Sequence, residues 1–350
     1  MQLRKTMILA SLSSMAILFT YCSKNDKISS PADVTHSGSS IPNLPASVYN
    51  YSDPALPAHI AAILPSADNT PADNPITNDG ATLGRVLFYD KNLSKNNTVS
   101  CGSCHRQDLS FSDSAIKSKG FLGGSTNRHS MSLLNVRFYR SGKMFWDERA
   151  NTLEDQVLQP IQNTTEMGMT LTELIPKISS LNYYPSLFQK AFGSTDVNAD
   201  RISKALAQFV RSIVTYQSKY DQVKQGLASF TPDERDGETL FLTAGNNTCA
   251  GCHSPPMFLT SSPARPFGLP DPNDPGINNQ NRFKSGSLRN IVLTAPYFHN
   301  GSISSLQTLL SSNIPAHSVA PQDRQKLLAF LQTLSDQTVL TDAKYSDPFK

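Results

Sequence analysis

The chain has 350 residues, with 31 Lys and Arg against 28 Asp and Glu, and 38% of its residues are hydrophobic. Arg4 and Lys5 are the only charged side chains before Cys22, so the remainder holds 29 basic against 28 acidic residues, a balance that argues against nucleic acid or an acidic membrane surface as a ligand. After the leader no segment is apolar enough to span a bilayer, which takes about 20 residues.

Residues 1–22 read as a secretory signal: a short positive start at Arg4-Lys5, then a mostly apolar run from Met7 to Phe19. Cys22 follows Leu18-Phe19-Thr20-Tyr21 and resembles the lipid-modified cysteine of bacterial lipoproteins, although Tyr21 stands where a small residue is usual. The alternative is an ordinary cleaved signal with a leftover thiol; both readings predict export to the periplasm, the first with a lipid anchor in the membrane. Residues 23–70 are rich in Ser, Pro, Asn and Asp, lack periodicity, and read as a flexible tether.

The rest is long enough for two domains, placed at 71–225 and 226–345 with the boundary near 222–232. Leu83, Val86 and Leu87-Phe88 fall at helical spacing ahead of Cys101-Gly102-Ser103-Cys104-His105. Ile202, Leu206, Phe209, Val210 and Ile213 mark a helix over 200–217 that closes the first half. Thr231-Pro232-Asp233-Glu234 is a helix start, with Thr231 as N-cap, Pro232 in the first turn and Glu234 closing a capping box. That helix leads through Leu240-Phe241 and Asn247-Thr248 to Cys249-Ala250-Gly251-Cys252-His253. Pro- and Gly-rich loops at 254–287 follow, and a stripe of Leu327, Leu328, Phe330, Leu331 and Leu334 closes the chain over 322–334. Almost nothing reads as strand. The expected fold is all-α, two cytochrome-c-like domains with long ordered loops and one duplicated plan.

C-x-x-C-H is the attachment signature of a c-type haem. Two thiols three positions apart can each add across one vinyl group, and the next residue brings an imidazole under the iron. Cys101, Cys104 and His105 would hold one haem c covalently; Cys249, Cys252 and His253 would hold a second. A four-cysteine zinc site would place its pairs much closer together than 101 and 249, and a thioredoxin-like motif would need a βαβ pattern that is not visible.

Several further runs resemble the bacterial di-haem cytochrome c peroxidase family, including its MauG-type relatives. They are Leu83-Gly84-Arg85 through Leu93-Ser94, Arg128 to Asn135, Phe145-Trp146-Asp147-Glu148-Arg149-Ala150, Leu153-Glu154-Asp155-Gln156 through Glu166-Met167-Gly168-Met169, Ser287-Leu288-Arg289-Asn290, and Thr294 to Gly301. Their order covers roughly residues 75–335. The resemblance implies a division of labour: hydrogen peroxide is reduced to water at the haem on His105, and the haem on His253 takes electrons from a small donor, a cytochrome c or a cupredoxin. Glu166 matches the acidic residue over the peroxide-binding face. One carboxylate there can take a proton from peroxide and return it to the oxygen that leaves as water; the bland alternative is a solvated acid. Gln156 matches a distal-pocket amide and Pro160 a pocket-shaping position. Trp146, the only tryptophan, is either a buried anchor or, as the resemblance implies, a π-system between the haems. Arg289 is expected to pair with a haem propionate, a surface arginine being the alternative. A homodimer is a further expectation.

The chain departs from the family in three places. Near Lys119-Gly120-Phe121-Leu122 there is no histidine to act as a sixth ligand, so the first haem would be five-coordinate; His129 is the nearest histidine downstream. His129 also stands where relatives often carry Asn, which with carbonyls matching Thr294 and Pro296 helps hold calcium; imidazole suits that hard ion poorly, and calcium is in doubt. The usual methionine or tyrosine ligand of the second haem would fall near Asn313, Met257 is too close to His253, and His317 is the nearest substitute or else a solvated loop histidine. His299 is expected to support the haem surroundings or the domain interface. The functional expectation is a di-haem peroxidase. A MauG-type oxidase acting on a protein substrate and a plain electron-transfer cytochrome are the alternatives; Glu166 and Gln156 argue against the last.

Overall fold

The computed structural model describes residues 41–243, 249–259, 269, 271–314 and 317–350. Cys22, the signal over residues 1–22, the tether up to residue 40 and Asn247-Thr248 lie outside the described residues. Those described are all-α: helices joined by turns, 3-10 segments and isolated bridges, with no strand. None of their helices is long and apolar enough to cross a membrane.

In chain order, the helices that frame the two C-x-x-C-H motifs are Asn78–Tyr89 (α1), Cys101–Cys104 (α2), Leu153–Val157 (α3), Ala199–Ser212 (α4), Pro232–Thr243 (α5), Cys249–Cys252 (α6), Leu306–Ser311 (α7) and Pro321–Thr333 (α8). Local chemistry sets their starts. Thr77 caps α1 by accepting from the Gly80 N–H, and Asn198 caps α4 through the Arg201 N–H. Thr231 and Glu234 exchange hydrogen bonds at the head of α5, the capping box expected there.

Helices α1 and α4 pack around one apolar core, α5 and α8 around another. Both pairs cross at a glycine. A Cβ on Gly84 would lie 2.0 Å from the Ala205 carbonyl oxygen, and one on Gly237 would lie 2.0 Å from that of Lys326, so neither pair could approach as closely with a side chain there. Phe209 and Phe330 sit beside these crossings, fully buried, and each burial contributes about 1.5–3 kcal/mol. Aromatic edges knit the second core: Phe330 is 5.3 Å from Phe241, and Phe258 is 5.0 Å from Tyr220.

The repeat extends beyond the helices. Ser132-Leu133-Leu134-Asn135 and Ser287-Leu288-Arg289-Asn290 each end in an asparagine of positive φ and open a 3-10 turn. Phe145 and Phe298, also at positive φ, begin loops closed by the bridges Met144–Ala150 and Tyr297–Ile303. Trp146 and His299 are therefore equivalent positions in the two halves.

Two stretches differ from expectation. Residues 41–70 do not behave as tether: Tyr51 is buried and its hydroxyl donates to the Lys344 carbonyl, the Asn43 N–H donates to Pro348, and Ile60 is buried against Phe138 and Met257. The polar composition of this stretch hides partners nearly 300 residues away. The chain end, in turn, leaves the second core, and Val339 and Tyr345 complete the first.

Candidate haem sites

Ser100 caps α2, its N–H donating to Ser103 Oγ at 2.9 Å, so the Cys101–Cys104 turn is pinned at its head. His105 leaves the helix, and its Nδ1 lies 3.1 Å from the Phe111 carbonyl, whose own N–H returns to Arg106. With Nδ1 held by a carbonyl, Nε2 is the nitrogen presented for ligation. Burial lowers the pKa of His105 and keeps the ring neutral. Burial also pushes the Cys101 thiol up to about 12 and Cys104 to about 11.

Cys101, Cys104 and His105 line a cavity walled by Phe88, Val99, Leu133, Leu206 and Val210. Gln156 on α3, Pro160, Glu166 and Met167 line the same space. An adjoining cavity of about 770 Å³ shares His105, Gln156, Pro160 and Glu166 and continues to Trp146 and Arg149. The Glu166 N–H donates to Asn163 and its carbonyl accepts from the Phe121 N–H at 2.9 Å, so the 119–122 loop buttresses the Glu166 segment. That approach leaves no room for side chains: a Cβ on Gly120 would meet the Thr165 carbonyl oxygen, and Gly168, at φ +66°, faces the Phe121 ring. Burial raises the Glu166 pKa, opposed by the Arg149 guanidinium. A half-buried carboxyl with a raised pKa, lining the same cavity as His105, is chemically able to exchange a proton there.

The second motif repeats the turn without that chemistry. The His253 N–H returns to the Cys249 carbonyl at 2.7 Å, and Ser254 bridges to Leu259. Ser285 Oγ lies 3.1 Å from Nδ1. Burial, then His317, lowers the His253 pKa to about 4, against a hydrogen bond to the backbone of Phe258. Cys249, Cys252 and His253 line a cavity walled by Phe241, Leu288, Ile291, Leu306, Leu310, Leu327 and Leu331, with no carboxylate or side-chain amide among its described lining.

Four of the residues that line both the second cavity and the 770 Å³ space are Trp146, His129, Met131 and Lys284. Trp146 is half-buried, its Nε1–H donates to the His129 carbonyl at 2.8 Å, and its ring lies 6.4 Å from that of His299. His129 is fixed by its Nδ1, 3.0 Å from the Ala115 carbonyl. His299 is buried and stacked on Phe283 at 3.6 Å, with the Asp271 carboxylate 3.8 Å from Nε2. Sequence reasoning missed Lys284. Its ammonium is buried, donates to the Lys143 carbonyl at 3.0 Å and lies over the Tyr139 ring, and burial lowers its pKa to about 7.

Arg289 is not the surface residue of the alternative reading. It is fully buried, and Nη1 and Nη2 grip both carboxylate oxygens of Asp221 at 2.7 Å while Nε and Nη2 donate to the Pro256 carbonyl. An isolated buried guanidinium is too costly to leave unpaired, and Asp221, which also accepts from Ser218 and meets His59, supplies the countercharge. Among the described residues no cluster of three or more His, Cys, Asp or Glu is placed to hold a separate metal ion.

The residues present fit two haems. Each apolar cavity receives two half-buried cysteine side chains from one helical turn and one neutral imidazole oriented from behind, the arrangement that holds a c-type porphyrin. Two such sites on one helical scaffold define a di-haem protein of the cytochrome c type, and the sites are unequal. Residues 78–229 match the sequence profile of the di-haem cytochrome c peroxidases. The chain is 33% identical over 279 residues to the cytochrome c551 peroxidase of Nitrosomonas europaea, covering 75% of this chain and 82% of that protein. It is 32% identical over 289 residues to the methylamine utilization protein MauG of Methylorubrum extorquens, covering 75% and 80%. Among solved structures, a MauG-like protein associated with microbial copper homeostasis superposes with a TM-score of 0.75 at 28% identity, covering 86% of this chain and all of that one. The chain belongs to the di-haem cytochrome c peroxidase family and is a haem-dependent oxidoreductase.

Proposed function

We propose that this protein reduces hydrogen peroxide to water at the haem held by Cys101, Cys104 and His105, with electrons entering through the haem held by Cys249, Cys252 and His253. The reading rests on one asymmetry: Glu166 and Gln156 line the His105 cavity, and the described lining of the His253 cavity has no counterpart to either. The haem supplies the two-electron chemistry. Glu166 takes the proton that peroxide loses and returns it to the departing oxygen, so that water rather than hydroxide leaves. Gln156 donates to the peroxide and holds it in line with Glu166. The raised Glu166 pKa matches a group that must both accept and release a proton. Trp146, lining the His253 cavity and the 770 Å³ space that reaches His105, assists electron transfer between the two sites.

The donor is a small cytochrome c or cupredoxin, by analogy with the cytochrome c551 peroxidases among the relatives. Both haems are attached through thioethers, the chain is exported to the periplasm, and Cys22 carries a lipid anchor. The 119–122 loop offers Glu166 its backbone and brings no imidazole, which supports a first haem open to peroxide without prior reduction.

A MauG-type oxidase is the second reading, favoured by relatives of that name and kept open by the lack of a methionine near Asn313. Stopped-flow mixing of oxidised and half-reduced protein with peroxide, followed by turnover against a reduced donor, separates the two. Fast turnover supports the peroxidase. A long-lived oxidised species with little turnover supports the oxidase, and no reaction with peroxide overturns both.

A further inference from the structure

A porphyrin seated on His253 presents a second iron face, and whatever lies there sets the spin state and much of the potential. Five nearby side chains bear a candidate donor atom: His129, Met131, Lys284, Tyr297 and His317. Two of these are already committed, and two stand where the cavity meets the 770 Å³ space. The Tyr297 hydroxyl donates to the Ile291 carbonyl at 2.9 Å. His129 stands where this cavity meets the 770 Å³ space, its backbone N–H held by the His299 carbonyl, and Lys284 donates to the Lys143 carbonyl. Met131 lies beside Gly286 and also lines the 770 Å³ space.

His317 comes from the side of the cavity formed by α7 and α8. It sits in the turn between α7 and α8, whose Leu306, Leu309, Leu310, Leu327 and Leu331 form the apolar side facing the motif. The turn is built: the N–H groups of His317 and Ser318 both return to the Ile314 carbonyl, and the Val319 N–H reaches Leu310. The His317 ring is half-buried, edge-on to Phe298 at 5.6 Å, and therefore not a solvated loop histidine. It is close enough to His253 for a charge on one ring to oppose a charge on the other. A neutral imidazole in an apolar chamber is a strong ligand for haem iron.

We infer that His317 is the axial ligand opposite His253, giving the second haem two imidazoles. This replaces the methionine or tyrosine expected near Asn313 with a residue four positions later in the sequence, and it lowers the potential of that haem relative to a thioether-ligated one. The inference rests on haem binding at His253, not on peroxide being the substrate.

The test uses the protein matured with both haems: EPR and near-infrared magnetic circular dichroism of the ferric form, with haem content measured by the pyridine haemochromogen assay. The wild type should show one low-spin bis-imidazole centre. His317→Ala should turn that centre high-spin with haem content unchanged, and free imidazole should restore it. His317→Met, which keeps a ligand and fills the space, should give a thioether signature and a higher midpoint potential. A bis-imidazole centre that survives His317→Ala overturns the inference, as does a wild type with no such centre or with a thioether signature removed by Met131→Leu. A haem assay showing no haem on the second motif overturns the haem reading itself, and with it the inference.

Discussion

At Glu166 the placement of one carboxyl decides the expected pH behaviour. Burial raises its pKa and Arg149 opposes the rise, so the carboxylate needed to accept the first proton forms at higher pH than on an ordinary glutamate. Peroxide turnover should therefore rise with pH through a value above that of an ordinary glutamate and be lost below it. Arg149→Ala removes the opposing charge and should move this acidic limb to higher pH, visible in the pH profile of kcat/KM. An unmoved limb would mean that a different group titrates. Arg289 gives a second prediction at this scale. Replacing it with alanine leaves Asp221 buried beside an empty pocket, and loss of one partner of a buried pair costs about 3–5 kcal/mol. Thermal unfolding should show that loss, while Asp221→Asn combined with Arg289→Met should recover part of it.

At the scale of helices, the duplicated crossing carries the fold. Gly84→Ala or Gly237→Ala would press a methyl into a neighbouring carbonyl and force the helices of either pair apart, an overpacking cost of about 1–3 kcal/mol. Both variants should melt earlier, and an unchanged melting temperature would show that the helices can separate freely. Much at this scale was legible in the sequence because the causes are local. The stripe of Ile202, Leu206, Phe209 and Val210 gave α4, and Thr231 with Glu234 gave the head of α5. The helix Leu171–Ser180 could have been found the same way, since Thr170 and Glu173 form a capping box. Contacts between distant residues were not legible. The pairing of Arg289 with Asp221 spans 68 residues and that of Tyr51 with Lys344 spans 293, and neither leaves a periodic trace. His317 reads as loop from its neighbours, and only the turn that carries it into the second cavity gives it a role.

Across the whole molecule, two copies of one plan have been made chemically unequal. Equivalent turns deliver Cys101, Cys104 and His105 to one cavity and Cys249, Cys252 and His253 to another, and the equivalent positions Trp146 and His299 lie 6.4 Å apart between them. Glu166 and Gln156 are the addition that separates the copies. The most direct test of this account is peroxide-dependent oxidation of a reduced donor protein by Glu166→Gln, measured beside its haem content. The account predicts both haems at the wild-type level and turnover abolished. Near-wild-type turnover in that variant would contradict it.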